Sequence, residues 1–264
     1  MKESLYSHIS TVRKQAPLVQ NITNYVVMNN TANALLAIGA SPIMAHAHPE
    51  MAAMQKICNA LVINIGTLDE YWVESMLIAA TEANHNNKPW ILDPVGAGAT
   101  PYRDEVLSRL IELKPTAIRG NASEIQALAK LNKTQTKGVD STSVSTEAVQ
   151  AGQILNKTYG AIIVISGETD IIIDGDQQVK IHNGNALMTK ITGMGCSATA
   201  ILAAFIAVIP NKTEAAVAAT ALMSISGELA ARYSNGPGSL QVNILDKLHS
   251  IKEQEFEETL KISI

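Results

Sequence analysis

Short runs of consecutive apolar residues alternate along the chain with longer stretches in which apolar positions recur every three or four residues. Residues 41–45, 60–65, 89–93, 116–119 and 161–165 are too short for helices and rich in Val, Ile, Leu and Ala, so they read as buried strands. Between them the spacing predicts helices over 5–15, 24–38, 49–59, 69–84, 102–113, 122–131 and 147–157. The first carries Leu5, Ile9 and Val12 on one side; the second carries Val27, Thr31, Ala34 and Ile38, with Asn24 as a candidate N-cap and Gly39 at its end. Residues 18–24 are interrupted by Gln20, Asn21, Thr23 and Asn24 and read as a surface loop, as do the polar residues 133–143.

The rhythm then changes. Residues 170–173 and 178–181 flank Asp174-Gly175-Asp176, a hairpin signal that predicts an antiparallel edge pair. A buried helix from Ser197, an Ala-rich helix over 213–233 stopped by Asn235-Gly236-Pro237-Gly238, a last helix over 239–251 and a charged tail complete the pattern. Strands alternating with helices predict an α/β fold: a mostly parallel central sheet, helices on both faces, and an antiparallel edge hairpin. No repeat, low-complexity tract or Pro/Gly linker divides the chain, so residues 1–264 read as a single domain.

Composition narrows the function. The chain is 47% hydrophobic, 17% charged and only 4% aromatic, so its core is built from aliphatic side chains. A net charge of −4 argues against nucleic acid as the main partner, because phosphate backbones select a basic excess. Two cysteines, Cys58 and Cys196, make neither a disulfide framework nor a zinc site. Met1-Lys2-Glu3-Ser4 lacks a signal-peptide core, and the apolar run 198–209 is too short to span a bilayer. A cytoplasmic protein with reduced thiols and no membrane partner is expected.

Ligands of open parallel sheets collect at the carboxyl ends of the strands. The residues a plain core does not need fall there: Met44, Asn64-Ile65-Gly66, Asp93, Arg119-Gly120-Asn121 and Ser166-Gly167. In Asp93-Pro94-Val95-Gly96-Ala97-Gly98 the carboxylate either caps a turn or helix or stands beside a hydrated Mg²⁺, which takes few protein ligands. Asn121 or Ser123 can cap the helix that follows, with Glu124 completing a capping box. That account leaves out Arg119, whose cation closes an apolar strand and calls for an anion. Ser166-Gly167 serves equally as a turn or as a phosphate contact. In Thr192-Gly193-Met194-Gly195-Cys196-Ser197, two glycines lead a polar loop into the buried helix. They make a tight turn, or they open the unpaired amides of Gly193, Met194, Gly195 and Cys196 as an anion hole. No Walker phosphate loop and no dinucleotide glycine fingerprint is present.

Together these segments resemble the hydroxyethylthiazole kinase family of the ribokinase-like superfamily. The similarity lies in Pro17-Leu18-Val19 through Ile22-Thr23-Asn24, residues 35–44, Asn64-Ile65-Gly66-Thr67, residues 93–100, residues 118–124, Gly193-Met194-Gly195-Cys196 and Gly236-Pro237-Gly238-Ser239, in the family's order. The resemblance implies a ribokinase-like three-layer fold. It also implies ATP- and Mg²⁺-dependent phosphorylation of the primary alcohol of 4-methyl-5-(2-hydroxyethyl)thiazole in thiamine salvage, by a homotrimer with thiazole sites between subunits. Carried over by position, Met44, Gly193 and Asn24 are implied to bind the thiazole, and Arg119 and Ser166 to bind ATP. Asn121 and Glu124 match the superfamily's Asn-x-x-Glu magnesium motif, with Asp93 near the metal. Cys196 stands where the broader superfamily has a catalytic Asp. A thiol is a poor proton acceptor at neutral pH, although a helix N-terminus and nearby cations can lower its pKa. The expectation is that Cys196 orients the substrate hydroxyl and assists proton removal only weakly. The same fold also hosts a nucleotide-dependent dehydratase of hydrated nicotinamide cofactors and a hydroxymethylpyrimidine kinase. A non-catalytic sensor of thiamine precursors is the third class considered.

Overall fold

The computed structural model describes residues 2–131 and 144–264. The expected loop over 133–143 lies outside them. The chain runs α1 (Lys2–Gln15), β1 (Leu18–Ile22), α2 (Met28–Ala37), β2 (Ser41–Ile43), α3 (Met51–Ile57), β3 (Ala60–Asn64), α4 (Glu70–His85), β4 (Trp90–Asp93), α5 (Pro101–Ile111), β5 (Ala117–Asn121) and α6 (Ala122–Leu131). It continues with α7 (Val144–Tyr159), β6 (Ile162–Ser166), β7 (Asp170–Asp174), β8 (Gln177–Ile181), α8 (Met194–Val208), α9 (Lys212–Ala231), α10 (Pro237–Ser250), α11 (Glu253–Thr259) and β9 (Ile262–Ser263). The strands form one sheet in the order β2-β1-β3-β4-β5-β6-β7-β8-β9. Pairing is parallel from β2 to β6 and antiparallel from β6 to β9.

Side-chain alternation sends the strands into two cores. Leu61, Ile63, Trp90 and Leu92 join the aliphatic faces of α3 to α7, whereas Ala60, Val62 and Ile91 join α1, α2 and α8 to α11. Strands buried on both faces are why these segments read as continuous apolar runs. The long apolar helix α8 lies inside the second core, with Ile201, Leu202 and Phe205 fully buried. No helix among the described residues is long and apolar enough to cross a membrane.

Three expectations are corrected. Residues 18–22 form β1, an interior strand next to the β2 edge rather than a surface loop. Its polar side chains find most of their partners within the protein: Gln20 Nε2 donates to Ala45 O at 2.9 Å, Gln55 Nε2 donates to Gln20 Oε1, and Asn21 Nδ2 donates to Val19 O at 3.0 Å, while Asn21 Oδ1 is buried without a hydrogen bond. Asn24 does not cap α2, which begins four residues later behind Val27 without a side-chain cap. The tail after α10 folds into α11 and β9, and β9 pairs with β8, so the hairpin is not the last strand of the sheet. Helix α8 starts three residues earlier than expected, at Met194 rather than Ser197.

The chain leaves β1 toward β2 on one side and leaves β3 toward β4 on the other. The carboxyl ends of β1 and β3 therefore flank a topological switch point, where such sheets open a crevice for ligands. Asn24 follows β1 and Asn64 ends β3.

Candidate active site

Asn24 and Asn64 join at that crevice. Asn24 Nδ2 donates to Asn64 Oδ1 at 2.9 Å, and Asn24 Oδ1 accepts from Val26 N at 3.1 Å. Asn64 stands beside Asp93 in the parallel register of β3 and β4. Its Nδ2 donates to Asp93 Oδ2 at 2.7 Å and to Cys196 Sγ at 3.1 Å. Thr199, one turn into α8, donates to the same Asp93 oxygen at 2.9 Å. Asp93 thus belongs to a buried network and caps no helix. The backbone of Gly66 runs hard against Asn24: a Cβ there would lie 2.6 Å from Asn24 Nδ2.

The start of α8 reaches the same place. Gly193 sits in the left-handed region at φ +83°, and the first intrahelical bond is Ser197 N to Gly193 O at 2.9 Å. The amides of Gly193, Met194, Gly195 and Cys196 precede it and carry the helix's positive end. Arg119, from the middle of β5, donates to Gly195 O at 3.1 Å. A Cβ at Gly193 would lie 2.8 Å from Cγ1 of buried Val27. Gly193→Ala therefore combines a strained φ with overpacking and is expected to cost about 2–3 kcal/mol of stability, read by denaturant unfolding. An unchanged midpoint would show that the turn tolerates a side chain.

Asn121 and Glu124 form a complete reciprocal cap at the start of α6. Glu124 N donates to Asn121 Oδ1 at 3.0 Å, and Asn121 N donates to Glu124 Oε2 at 2.9 Å. Glu124 Oε1 also accepts from Gly96 N at 3.0 Å, which ties the loop after β4 to α6. Ser166 pairs with Asn121 across β5 and β6, and its hydroxyl lies 3.4 Å from Gly120 O. Met44 lies apart from this group. It follows the edge strand β2, half-buried, and its carbonyl lies 3.2 Å from His46 Nδ1.

Burial governs the titration of the two central groups. Asp93 is 4% exposed, and desolvation pushes its pKa up to about 6, with Glu124 adding to the rise and Arg119 opposing it. Cys196 goes up to about 11, first through burial and then through the Asp93 charge; Asn64, Asn24 and Arg119 offset only part of this. A thiol activated by the helix terminus is therefore not what the site contains.

The similarity to known proteins spans the whole chain. The model of the "Hydroxyethylthiazole kinase family" matches residues 9–254. This chain belongs to the hydroxyethylthiazole kinase family. A hydroxyethylthiazole kinase of Syntrophus aciditrophicus (strain SB) is 52% identical over 98% of this chain and 97% of its own length. The solved structure of a hydroxyethylthiazole kinase protein from Pyrococcus horikoshii OT3 superposes with a TM-score of 0.92 at 36% identity, covering 99% of this chain and 98% of that one. A ribokinase-like superfamily protein from Enterococcus faecalis V583 reaches a TM-score of 0.61 at 15% identity over 89% of this chain and 88% of that one, a likeness of fold alone. The fold is ribokinase-like, and the chain is a kinase with ATP as co-substrate.

Membership in that family makes the missed residues instructive. Asn64 stood out only as part of a strand end, and Thr199 looked like one more small residue in an apolar helix. Arg103, on α5, gave no signal. Its guanidinium donates to Val95 O and Gly66 O, each at 2.9 Å, and also to Ile65 O, joining the loops after β3 and β4. Only the tertiary structure shows what such side chains touch.

Proposed function

We propose that this chain transfers the γ-phosphoryl group of ATP to the primary hydroxyl of 4-methyl-5-(2-hydroxyethyl)thiazole, as a cytoplasmic single-domain enzyme of thiamine salvage. Full-length relatedness to hydroxyethylthiazole kinases supports this reading over the dehydratase, the hydroxymethylpyrimidine kinase and the sensor. The observation that carries the chemistry is the unpaired start of α8 beside Arg119 and Asp93. Phosphoryl transfer has a loose transition state, so positioned positive charge does most of the catalysis. The amides from Gly193 to Cys196 and the guanidinium of Arg119 supply that charge; Ser166 adds a hydroxyl for a phosphate oxygen. Asn24 and Gly193 bound the thiazole end of the cleft. In the proposed homotrimer, Met44 is offered from the β2 edge to a neighbouring subunit's thiazole.

The acidic residues fit Mg²⁺. Both side-chain bonds to Asp93 land on Oδ2, which leaves Oδ1 open, and repulsion from Glu124 places two carboxylates close enough to favour a cation. Among the described residues no cluster of three or more His, Cys, Asp or Glu is poised to bind a metal. Mg²⁺ keeps most of its waters and takes few protein ligands. Asp93 and Glu124, with Asn121 beside them, would hold it, and bound Mg²⁺ would neutralise phosphate charge. Cys196, with its pKa near 11, keeps its proton at neutral pH and orients the hydroxyl.

Incubation with ATP, Mg²⁺ and the thiazole alcohol, read by mass spectrometry, tests the proposal. Phosphothiazole with ADP is the expected result. ADP without phosphothiazole would move the reading to another acceptor or to the dehydratase. A second expectation concerns Cys196→Asp. A carboxylate can accept the N–H groups of Asn24 and Asn64 that now face sulfur, so turnover should stay within about tenfold of the parent or exceed it. A folded, substrate-binding but inactive variant would show that the thiol itself is required.

A further inference from the structure

Two side-chain amides face the sulfur of Cys196, and each is oriented by a partner that acts in one sense only. Asn64 Oδ1 lies 2.9 Å from the N–H of Gly66, an obligate donor, while its Nδ2 lies 2.7 Å from the carboxylate of Asp93. Asn24 Oδ1 takes the N–H of Val26. Turning either amide over would set nitrogen against an N–H, so the hydrogen-bond network fixes both orientations. What they present to sulfur is therefore N–H: Nδ2 of Asn64 at 3.1 Å and Nδ2 of Asn24 at 3.5 Å. Asn64 is 1% exposed and uses its whole capacity, accepting from Asn24 and Gly66 and donating to Asp93 and Cys196. Cys196 is only partly buried, and its S–H meets no side-chain acceptor among the described residues.

We propose that Asn64 is a positioning residue that, with Asn24, saturates the acceptor side of Cys196 and turns its S–H outward, to donate to the oxygen of the incoming alcohol. Cys196 then aligns the nucleophile and does not take its proton. The alcohol oxygen forms the new bond to the γ-phosphorus, and the bond from that phosphorus to the β-bridging oxygen breaks with its electrons leaving on ADP. The alcohol proton passes to an oxygen of the transferred phosphoryl group, and sulfur keeps its own hydrogen throughout. This rests on the phosphotransfer reading above for the alcohol and for the γ-phosphoryl donor.

The infrared S–H stretch of Cys196 tests it, in full-length protein carrying Cys58→Ala so that one thiol remains. The free protein should show the band of a thiol that donates to nothing stronger than solvent water. Asn64→Asp places an acceptor where an N–H now faces sulfur and should lower the band without any substrate. Addition of the thiazole alcohol to the Cys58→Ala protein should lower it as well. A free-protein band lower than that of a water-exposed thiol, or one that neither change moves, would overturn the proposal. Kinetics supply the second arm. Asn64→Ala should cut kcat about tenfold or more with little change in KM, and Asn64→Ala with Cys196→Ala should be no slower than Cys196→Ala alone, as for residues acting through one contact. Multiplying losses would assign Asn64 to the fold. If Asn64→Asp does not fold, the Cys58→Ala protein's band with and without alcohol still decides. A parent that makes no phosphothiazole would defeat the function and leave the free-protein comparison standing.

Discussion

Arg119→Ala is expected to lower kcat about 10²–10³-fold, or roughly 3–4 kcal/mol of transition-state stabilisation, without unfolding the protein. The side chain leaves a strand whose neighbours Ile118 and Ala117 are fully buried, yet its recorded partner is one neutral carbonyl, Gly195 O. No carboxylate among the described residues lies within ion-pair distance of it. A guanidinium has five donors in a fixed fork, so most of its capacity remains for a ligand. Its charge acts on both Asp93 and Asp170, opposing the rise that burial gives each carboxyl. Arg119→Lys keeps the charge but loses the fork and should recover only part of the rate. Initial rates of ADP formation at saturating substrates, with a melting curve for each variant, give the comparison. Near-parental turnover in folded Arg119→Ala would remove the anion site from the α8 terminus.

The signal that exposed Arg119 in the sequence was a contradiction: a long cation ending an apolar strand with no local use. Gly193 and Gly195 were legible for a similar reason, because two glycines before an apolar helix need a tight turn. The strands β3 to β6 were legible because burial on both faces leaves unbroken aliphatic runs. β1 was not, because Gln20 and Asn21 are both buried, and the partners of Gln20, Ala45 and Gln55, are distant in sequence. The same blindness hid the contacts of Asn64, whose four hydrogen bonds draw on the loop after β1, α8, β4 and its own loop. Sequence spacing correctly paired Asn121 with Glu124, since a capping box is local. Asn24 misled for the opposite reason: its polar side chain fits a helix cap by composition, but tertiary contact with Asn64 and Cys196 holds it elsewhere.

Asp93→Asn is expected to remove more than about 10³-fold of turnover and yet to make the protein more stable at neutral pH. Burial raises the Asp93 pKa from 3.8 to about 6 in the fold. Between those values the folded protein holds a proton that the unfolded chain has released. Stability contributed by this group is therefore present below about pH 4 and lost as pH rises through 6, by about 3 kcal/mol in all. Glu228 and Glu255, whose pKa values are lowered through bonds to Lys261 and Lys247, slope the other way, so the difference between parent and variant isolates Asp93. In Asp93→Asn the new amide oxygen can still accept from Asn64 and Thr199, and no charge is left to desolvate. Denaturant unfolding in EDTA should show the variant about 1–3 kcal/mol more stable at pH 7.5, and the gain should disappear by pH 4. Adding Mg²⁺ should stabilise the parent and leave the variant unmoved, because the ion compensates the carboxylate that burial disfavours. A variant that is both inactive and less stable at pH 7.5 would make Asp93 a structural residue. A more stable and inactive one would show a charge kept in the crevice at the expense of the fold, as a catalytic carboxylate requires.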